Sequence, residues 1–292
     1  MENIFEGISV ALVTPFTNGT VDFDALGNII EFQIAGGIRT FIVLGTTAET
    51  STLTIEEQNE IIAFAKRVIN GRAKVIIGTG SNNTATTIER SLEVKAMGVD
   101  GLLVVTPYYN KCTQNGLVEH FTQIANAVQM PIIIYNVPGR TNVNINVDTA
   151  LRLSANKHIV GIKEASGNFS QIMEMSRVLE GKMAMYSGDD ATDYLFYLLG
   201  GVGSISVTAN VLPAEKIKVF ELVRNGKIAE ARELHNRLLD INNQLFCEPN
   251  PIPVKAVLAN LGLCKDEMRM PLTVIEDENR KKVLEAFNCA RE

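Results

Sequence analysis

The chain has 292 residues, 46% hydrophobic and 21% charged, which supplies a large core and excludes intrinsic disorder. Its 33 acidic against 27 basic residues give a net charge of −6, with no basic stripe of the kind nucleic acid requires. No apolar run is long enough to span a membrane, and residues 1–20 lack a secretory pattern, so a cytoplasmic protein is expected. Cys112, Cys247, Cys264 and Cys289 are too scattered for a disulfide framework or a zinc knuckle. His120, His158 and His235 show no ligand spacing either, so neither a metal nor a cofactor is expected.

Along the chain, short β-rich runs alternate with helix-length amphipathic segments. A strand expected at 8–13 is followed by a helix at 24–35, and a strand at 40–44 by a helix at 55–69. That second helix is announced by a capping box, Thr54-Ile55-Glu56-Glu57. Further strand and helix pairs follow at 74–78 and 84–97, 101–105 and 116–128, 131–135 and 147–153, and 159–163 and 169–179. The last two pairs are 183–187 with 191–199 and 203–207 with 213–225. Several strands are continuously apolar, as parallel strands covered on both faces must be. Eight such pairs predict an α/β fold, a (β/α)8 TIM barrel, because a closed barrel uses every strand and leaves no edge. No glycine-rich phosphate loop follows the first strand, which argues against a nucleotide site.

After residue 225 the pattern is all-helical, at 228–246, 253–261 and 277–290, with Pro249–Pro253 as a rigid turn. The expected organisation is a catalytic barrel over 1–225 and a C-terminal helical extension over 226–292.

Barrel sites form at the carboxyl ends of the strands, so the residues just beyond each run are the candidates. Lys163 ends the apolar run Ile159-Val160-Gly161-Ile162. A buried ammonium loses hydration and its pKa falls, which yields the neutral amine that attacks a carbonyl. A Schiff-base lysine is the leading reading; a lysine that snorkels to solvent is the competing one. Tyr135 closes the neighbouring strand and can move protons for such an amine without adding charge, with Thr47 passing them outward to a second tyrosine. Tyr135 as an ordinary strand aromatic, and Thr46 and Thr47 as turn formers, remain open alternatives. Arg140 offers two parallel donors to a carboxylate, unless it is a solvated surface arginine. The Gly188-Asp189-Asp190 turn and Ile205 read as pocket-shaping, Glu164 as a structural hydrogen-bond acceptor, and Cys112 as a thiol near the mouth or a bystander.

At these positions the chain resembles the dihydrodipicolinate synthase and N-acetylneuraminate lyase family of class I aldolases, nearly end to end. The likeness is carried by Val13-Thr14-Pro15-Phe16, Gly45-Thr46-Thr47, Gly78-Thr79-Gly80-Ser81-Asn82, Pro107-Tyr108-Tyr109-Asn110, Tyr135-Asn136-Val137-Pro138-Gly139-Arg140-Thr141, Lys163-Glu164-Ala165-Ser166-Gly167 and Ser187-Gly188-Asp189-Asp190. It is greatest with the dihydrodipicolinate synthase branch. The resemblance implies that Lys163 forms an imine with pyruvate and that Tyr135, Thr47 and Tyr109 form a proton relay, Tyr109 reaching into a neighbouring subunit. It implies that Arg140 binds the carboxylate of aspartate semialdehyde, and that Thr46, Thr47, Gly188 and Ile205 hold substrate. The implied product is the precursor of diaminopimelate and lysine, and the implied assembly is a homotetramer, a dimer of dimers.

Two positions depart from the family pattern. Ala48 replaces a glycine, which costs about 1 kcal/mol if the site needs a positive φ, and Asn142 stands where glycine is common. At the positions that correspond to the family's lysine-inhibition cleft stand Ile55, Gln58 and Thr86 with Asn82 and Tyr108, without the usual histidine and glutamate, so weak or absent inhibition is expected. Two rivals remain: a sugar-acid or sialic-acid lyase with the same imine chemistry, and a non-catalytic barrel that binds a small acid.

Overall fold

The computed structural model describes residues 5–291. Strands β1 (Gly7–Ala11), β2 (Thr40–Val43), β3 (Lys74–Gly78), β4 (Gly101–Val105), β5 (Ile132–Asn136), β6 (Ile159–Glu164), β7 (Ala184–Ser187) and β8 (Gly203–Ser206) lie on the apolar runs. They form one closed parallel barrel in sequence order, with β8 beside β1. The first strand ends two residues before its apolar run does. Leu12 N still donates to Ile42 O at 3.0 Å, but Val13 N turns to Asn210 Oδ1 at 3.4 Å.

The barrel helices are α1 (Phe23–Ala35), α2 (Ile55–Ile69), α3 (Thr84–Ala96), α4 (Gln114–Val128), α5 (Val147–Leu153), α6 (Phe169–Leu179), α7 (Asp193–Leu198) and α8 (Pro213–Arg224). In six of them the start is fixed by a side chain. Asp22, Thr54, Asn83, Thr113, Asn146 and Asn168 each accept the backbone N–H three residues on, a bond worth about 1 kcal/mol per cap. The capping box at Thr54 is complete, with Glu57 reaching back to the Thr54 amide. Thr113 starts α4 two residues ahead of the expected position. The seventh helix starts late instead, because Asp189 accepts from Ala191 N at 3.2 Å and from Thr192 Oγ1 at 2.9 Å and holds those residues in a turn.

One element escaped the sequence reading. Phe16–Thr17 pairs with Thr20–Val21 as a hairpin whose turn places Asn18 at φ 53° and Gly19 at φ 76°. The Asn-Gly dipeptide is a strong signal for this turn and was the available clue.

By its contacts the chain divides into two compact units, Val75–Ile205 and Gly7–Lys74 with the segment from Ser206 onward. In the first, β4 to β7 pair in parallel and α3 packs on α4, α4 on α5 and α5 on α6. In the second, β1 pairs with β2, α1 packs on α2, and α8 packs on β1. This unit also contains α9 (Ile228–Gln244), α10 (Ile252–Asn260) and α11 (Asp277–Arg291); α9 packs on α8 and α11, and α10 on α11. No helix among the described residues is long and apolar enough to cross a membrane.

Candidate active site

In the first unit, Lys163 on β6 is in register with Tyr135 on β5 and with Tyr186 on β7. Its side chain is buried, and Nζ stands 4.3 Å from the centroid of the Tyr135 ring. The snorkelling alternative therefore fails. Burial strips the ammonium of its hydration and lowers the Lys163 pKa to about 8; Asp190 and Asp193 oppose the shift, and Arg140 adds to it. Tyr135 is buried as well, and that burial raises its pKa to about 12, with Arg140 opposing. The phenol stays protonated at neutral pH and is equipped to donate.

Two glycines make room for these groups. A Cβ on Gly161 would lie 2.6 Å from Tyr186 Cε2, so only glycine lets that ring lie against β6. A Cβ on Gly188 would lie 2.8 Å from Ala165 Cβ and 2.9 Å from Lys163 Cε. Ala165 is short and tethered, so the lysine must give way. Gly188→Ala is expected to displace the amine and lower kcat about tenfold to a hundredfold while the fold persists. Steady-state kinetics beside a circular dichroism spectrum check this, and a kcat within twofold of wild type would contradict it.

Arg140 sits in a short helical turn, Pro138–Thr141, directly after β5 and exposed to solvent. Its loop is anchored from below. Asn136 Nδ2 donates to Glu164 Oε2 at 2.8 Å, and Asn136 Oδ1 accepts from Ile145 N at 2.9 Å. Thr106 Oγ1 donates to Thr141 Oγ1 at 3.0 Å. Asn142 closes the turn at φ 57°, a left-handed position that asparagine tolerates. Glu164 is the structural acceptor expected of it: Oε1 takes the Ser166 amide at 2.6 Å, and burial raises its pKa.

Beyond β7 the structure supplies Asp190, expected only to shape the pocket, and Asp193, Tyr197 and Ser204, to which the sequence assigned no role. Asp190 and Asp193 are buried. The Tyr197 hydroxyl donates to Asp193 Oδ2 at 2.9 Å and lies 2.9 Å from Ser204 Oγ. Ile205, on β8, is buried. Tyr109 differs from all of these. Its side chain is 91% exposed and its backbone is held at φ 70°, while Asn82 Nδ2 donates to the neighbouring Tyr108 O at 3.1 Å. Burial raises the Cys112 pKa, the opposite of what a reactive thiolate needs.

Thr46 and Thr47 lie in the second unit, in a 3₁₀ turn, Thr46–Ala48, after β2. Thr46 is exposed and Thr47 is buried. Ala48 carries no strain, because the left-handed residues of this segment are Leu44 at φ 57° and Glu49 at φ 54°, and Ala48 lies between them inside the turn. The Glu49 carboxylate is enclosed. Lys255 Nζ donates to Oε1 at 2.8 Å and Arg269 N to Oε2 at 3.0 Å. Asn250 Nδ2 donates to Thr47 Oγ1 at 2.9 Å. None of these three partners was singled out in the sequence. In the first unit the structure thus brings Lys163, Tyr135 and Gly188 together with Arg140 in electrostatic range; in the second, Asn250 and the Glu49–Lys255 pair hold the threonine turn.

Residues 4–289 match the model described as the dihydrodipicolinate synthetase family. A 4-hydroxy-tetrahydrodipicolinate synthase of Alkaliphilus oremlandii is 46% identical over 285 residues, covering 97% of each chain. The crystal structure of dihydrodipicolinate synthase from Aquifex aeolicus superposes with a TM-score of 0.94 at 45% identity, over 97% of each chain. That of the chloride-inhibited enzyme from Acinetobacter baumannii, complexed with pyruvate, gives 0.96 at 43% identity, over 98% of this chain and 99% of the other.

Proposed function

Since the chain belongs to the dihydrodipicolinate synthetase family, we propose that it condenses pyruvate with L-aspartate 4-semialdehyde to give 4-hydroxy-tetrahydrodipicolinate, on the diaminopimelate route to lysine. The observation that carries this reading is the buried Lys163 amine, set against Tyr135 with a pKa of about 8. At neutral to mildly alkaline pH a useful fraction of such an amine is unprotonated. It adds to C2 of pyruvate, water leaves, and an imine forms. Loss of a C3 proton gives the enamine, whose C3 attacks the aldehyde carbon of the second substrate. The amino group of that substrate then closes on C2 and frees Lys163.

Tyr135, held neutral by burial, supplies and recovers the proton of the carbinolamine step, with Thr47 and Tyr109 extending the relay. Thr46, Thr47, Gly188 and Ile205 hold pyruvate, and Arg140 on its anchored turn pairs with the semialdehyde carboxylate. The extreme exposure of Tyr109 supports a role in the site of a partner subunit, and with it a homotetramer arranged as a dimer of dimers. The division into a barrel of 1–225 and an extension of 226–292 belongs to the same reading.

An assay of aspartate semialdehyde against N-acetylneuraminate and 2-keto-3-deoxygluconate tests it. Turnover with the semialdehyde alone is expected, and cleavage of either sugar acid without it would overturn the assignment. Lysine is a poor inhibitor on this account. Ile55 is exposed and apolar, and Gln58 Nε2 is engaged with Leu53 O at 3.2 Å, so neither offers a carboxylate to a bound ammonium. Millimolar lysine should leave the steady-state rate unchanged; inhibition at micromolar lysine would refute this.

A further inference from the structure

We infer that Asn250 is a positioning residue that sets the direction of the Thr47 hydroxyl, and that the Glu49–Lys255 pair holds the segment bearing Asn250 against the threonine turn; the inference rests on the relay role proposed for Thr47. A threonine hydroxyl has one proton to donate and two lone pairs to accept with. Asn250 Nδ2 is 2.9 Å from Thr47 Oγ1, both side chains are buried, and an amide nitrogen can only donate. One lone pair is therefore occupied. What remains on Oγ1 is one acceptor and one donor, the entry and the exit that a relay hydroxyl needs. A proton arriving on the free lone pair is matched by departure of the original hydroxyl proton, so the oxygen is neutral before and after.

The mount is stiff. Lys255 lies five residues beyond Asn250, in the first half of α10, and its bond to Glu49 Oε1 ties that helix to the residue two places after Thr47. Arg269 N takes the other carboxylate oxygen, and Thr50 Oγ1 donates to Gly45 O at 2.9 Å across the turn. Neither Asn250 nor Lys255 reacts. They act through Thr47, by fixing which way its proton points.

The test uses Asn250→Ala and the isosteric Asn250→Asp, each alone and in a Thr47→Ala background, with kcat and pyruvate KM measured from about pH 6 to 9. Asn250→Ala should lower kcat at least about tenfold with KM within about twofold, and should have no further effect once Thr47 is Ala. Asn250→Asp carries a distinctive signature. An ionised Asp accepts the Thr47 proton and takes it out of the relay, whereas a protonated Asp can donate as the amide does. A buried carboxyl has a raised pKa, so the ratio of Asn250→Asp to wild-type kcat should rise as pH falls. A loss that is purely structural would not depend on pH in this way. A flat ratio, or an Asn250→Ala effect that persists in the Thr47→Ala background, overturns the inference. Borohydride trapping of pyruvate on wild-type Lys163 separates the two levels: an adduct with a flat ratio sinks the role of Asn250 alone, while no adduct sinks the proposed function and this inference with it.

Discussion

Replacing Lys163 with alanine should abolish turnover, with kcat/KM lowered by about four orders of magnitude or more, and should leave the barrel folded. The size of the loss follows from covalent catalysis. Without the amine no imine forms, pyruvate cannot become an enamine, and binding alone supplies none of that chemistry. The fold should tolerate the change because the buried amine is a thermodynamic cost to the native state. Burial lowers its pKa to about 8, so removing it relieves desolvation and leaves the apolar face of β6 intact. Lys163→Arg should be as inactive as Lys163→Ala, since a guanidinium keeps its proton. Progress curves and urea unfolding check both statements. Residual activity within a hundredfold of wild type would show that another group forms the covalent bond.

The second large effect is on stability. Lys255→Met should cost about 3–5 kcal/mol, because among the described residues it leaves the buried Glu49 carboxylate with the Arg269 amide as its remaining donor. The side chains of the pair are 0% and 1% exposed, so bulk solvent does not reach the carboxylate. Burial lowers the Lys255 pKa despite its carboxylate partner, a sign that desolvation outweighs the attraction. Lys255→Met combined with Glu49→Gln should therefore recover much of the loss, since no unpaired charge remains. Urea midpoints of the two single variants and the double variant decide the matter. A single variant within about 1 kcal/mol of wild type, or a double variant no more stable than the singles, would contradict the account.

The difference between these two lysines shows what a sequence makes legible. Lys163 stands out because a charge closes an apolar strand just where barrel chemistry sits, and register with Tyr135 follows from strand adjacency. The eight strands were readable for the same reason: parallel strands buried on both faces are continuous apolar runs. Lys255 is also a charge among apolar neighbours, flanked by Val254 and Ala256 in a helix buried nearly all round, but it lies after the last strand rather than at a strand end, and nothing in its local sequence singles it out. Its partner is 206 residues away, as the partner of Asn250 is 203 away, and no local pattern encodes such pairings. Ala48 shows the converse limit. Its replacement of a glycine suggested strain, yet the left-handed residue of the turn is Glu49, one place on. The exposure of Tyr109 finds a reason only in the proposed reading, in which the residue works in another subunit.

The central claim is that a depressed lysine pKa creates the nucleophile. Incubating the protein with pyruvate and borohydride and mapping the modified peptide across pH tests it directly. The predicted result is a single pyruvate-derived mass increase on the peptide containing Lys163, with a trapping rate that climbs through about pH 8 because only the neutral amine reacts. An adduct on another lysine, or a rate that climbs only near the ordinary lysine pKa of about 10.4, would contradict it.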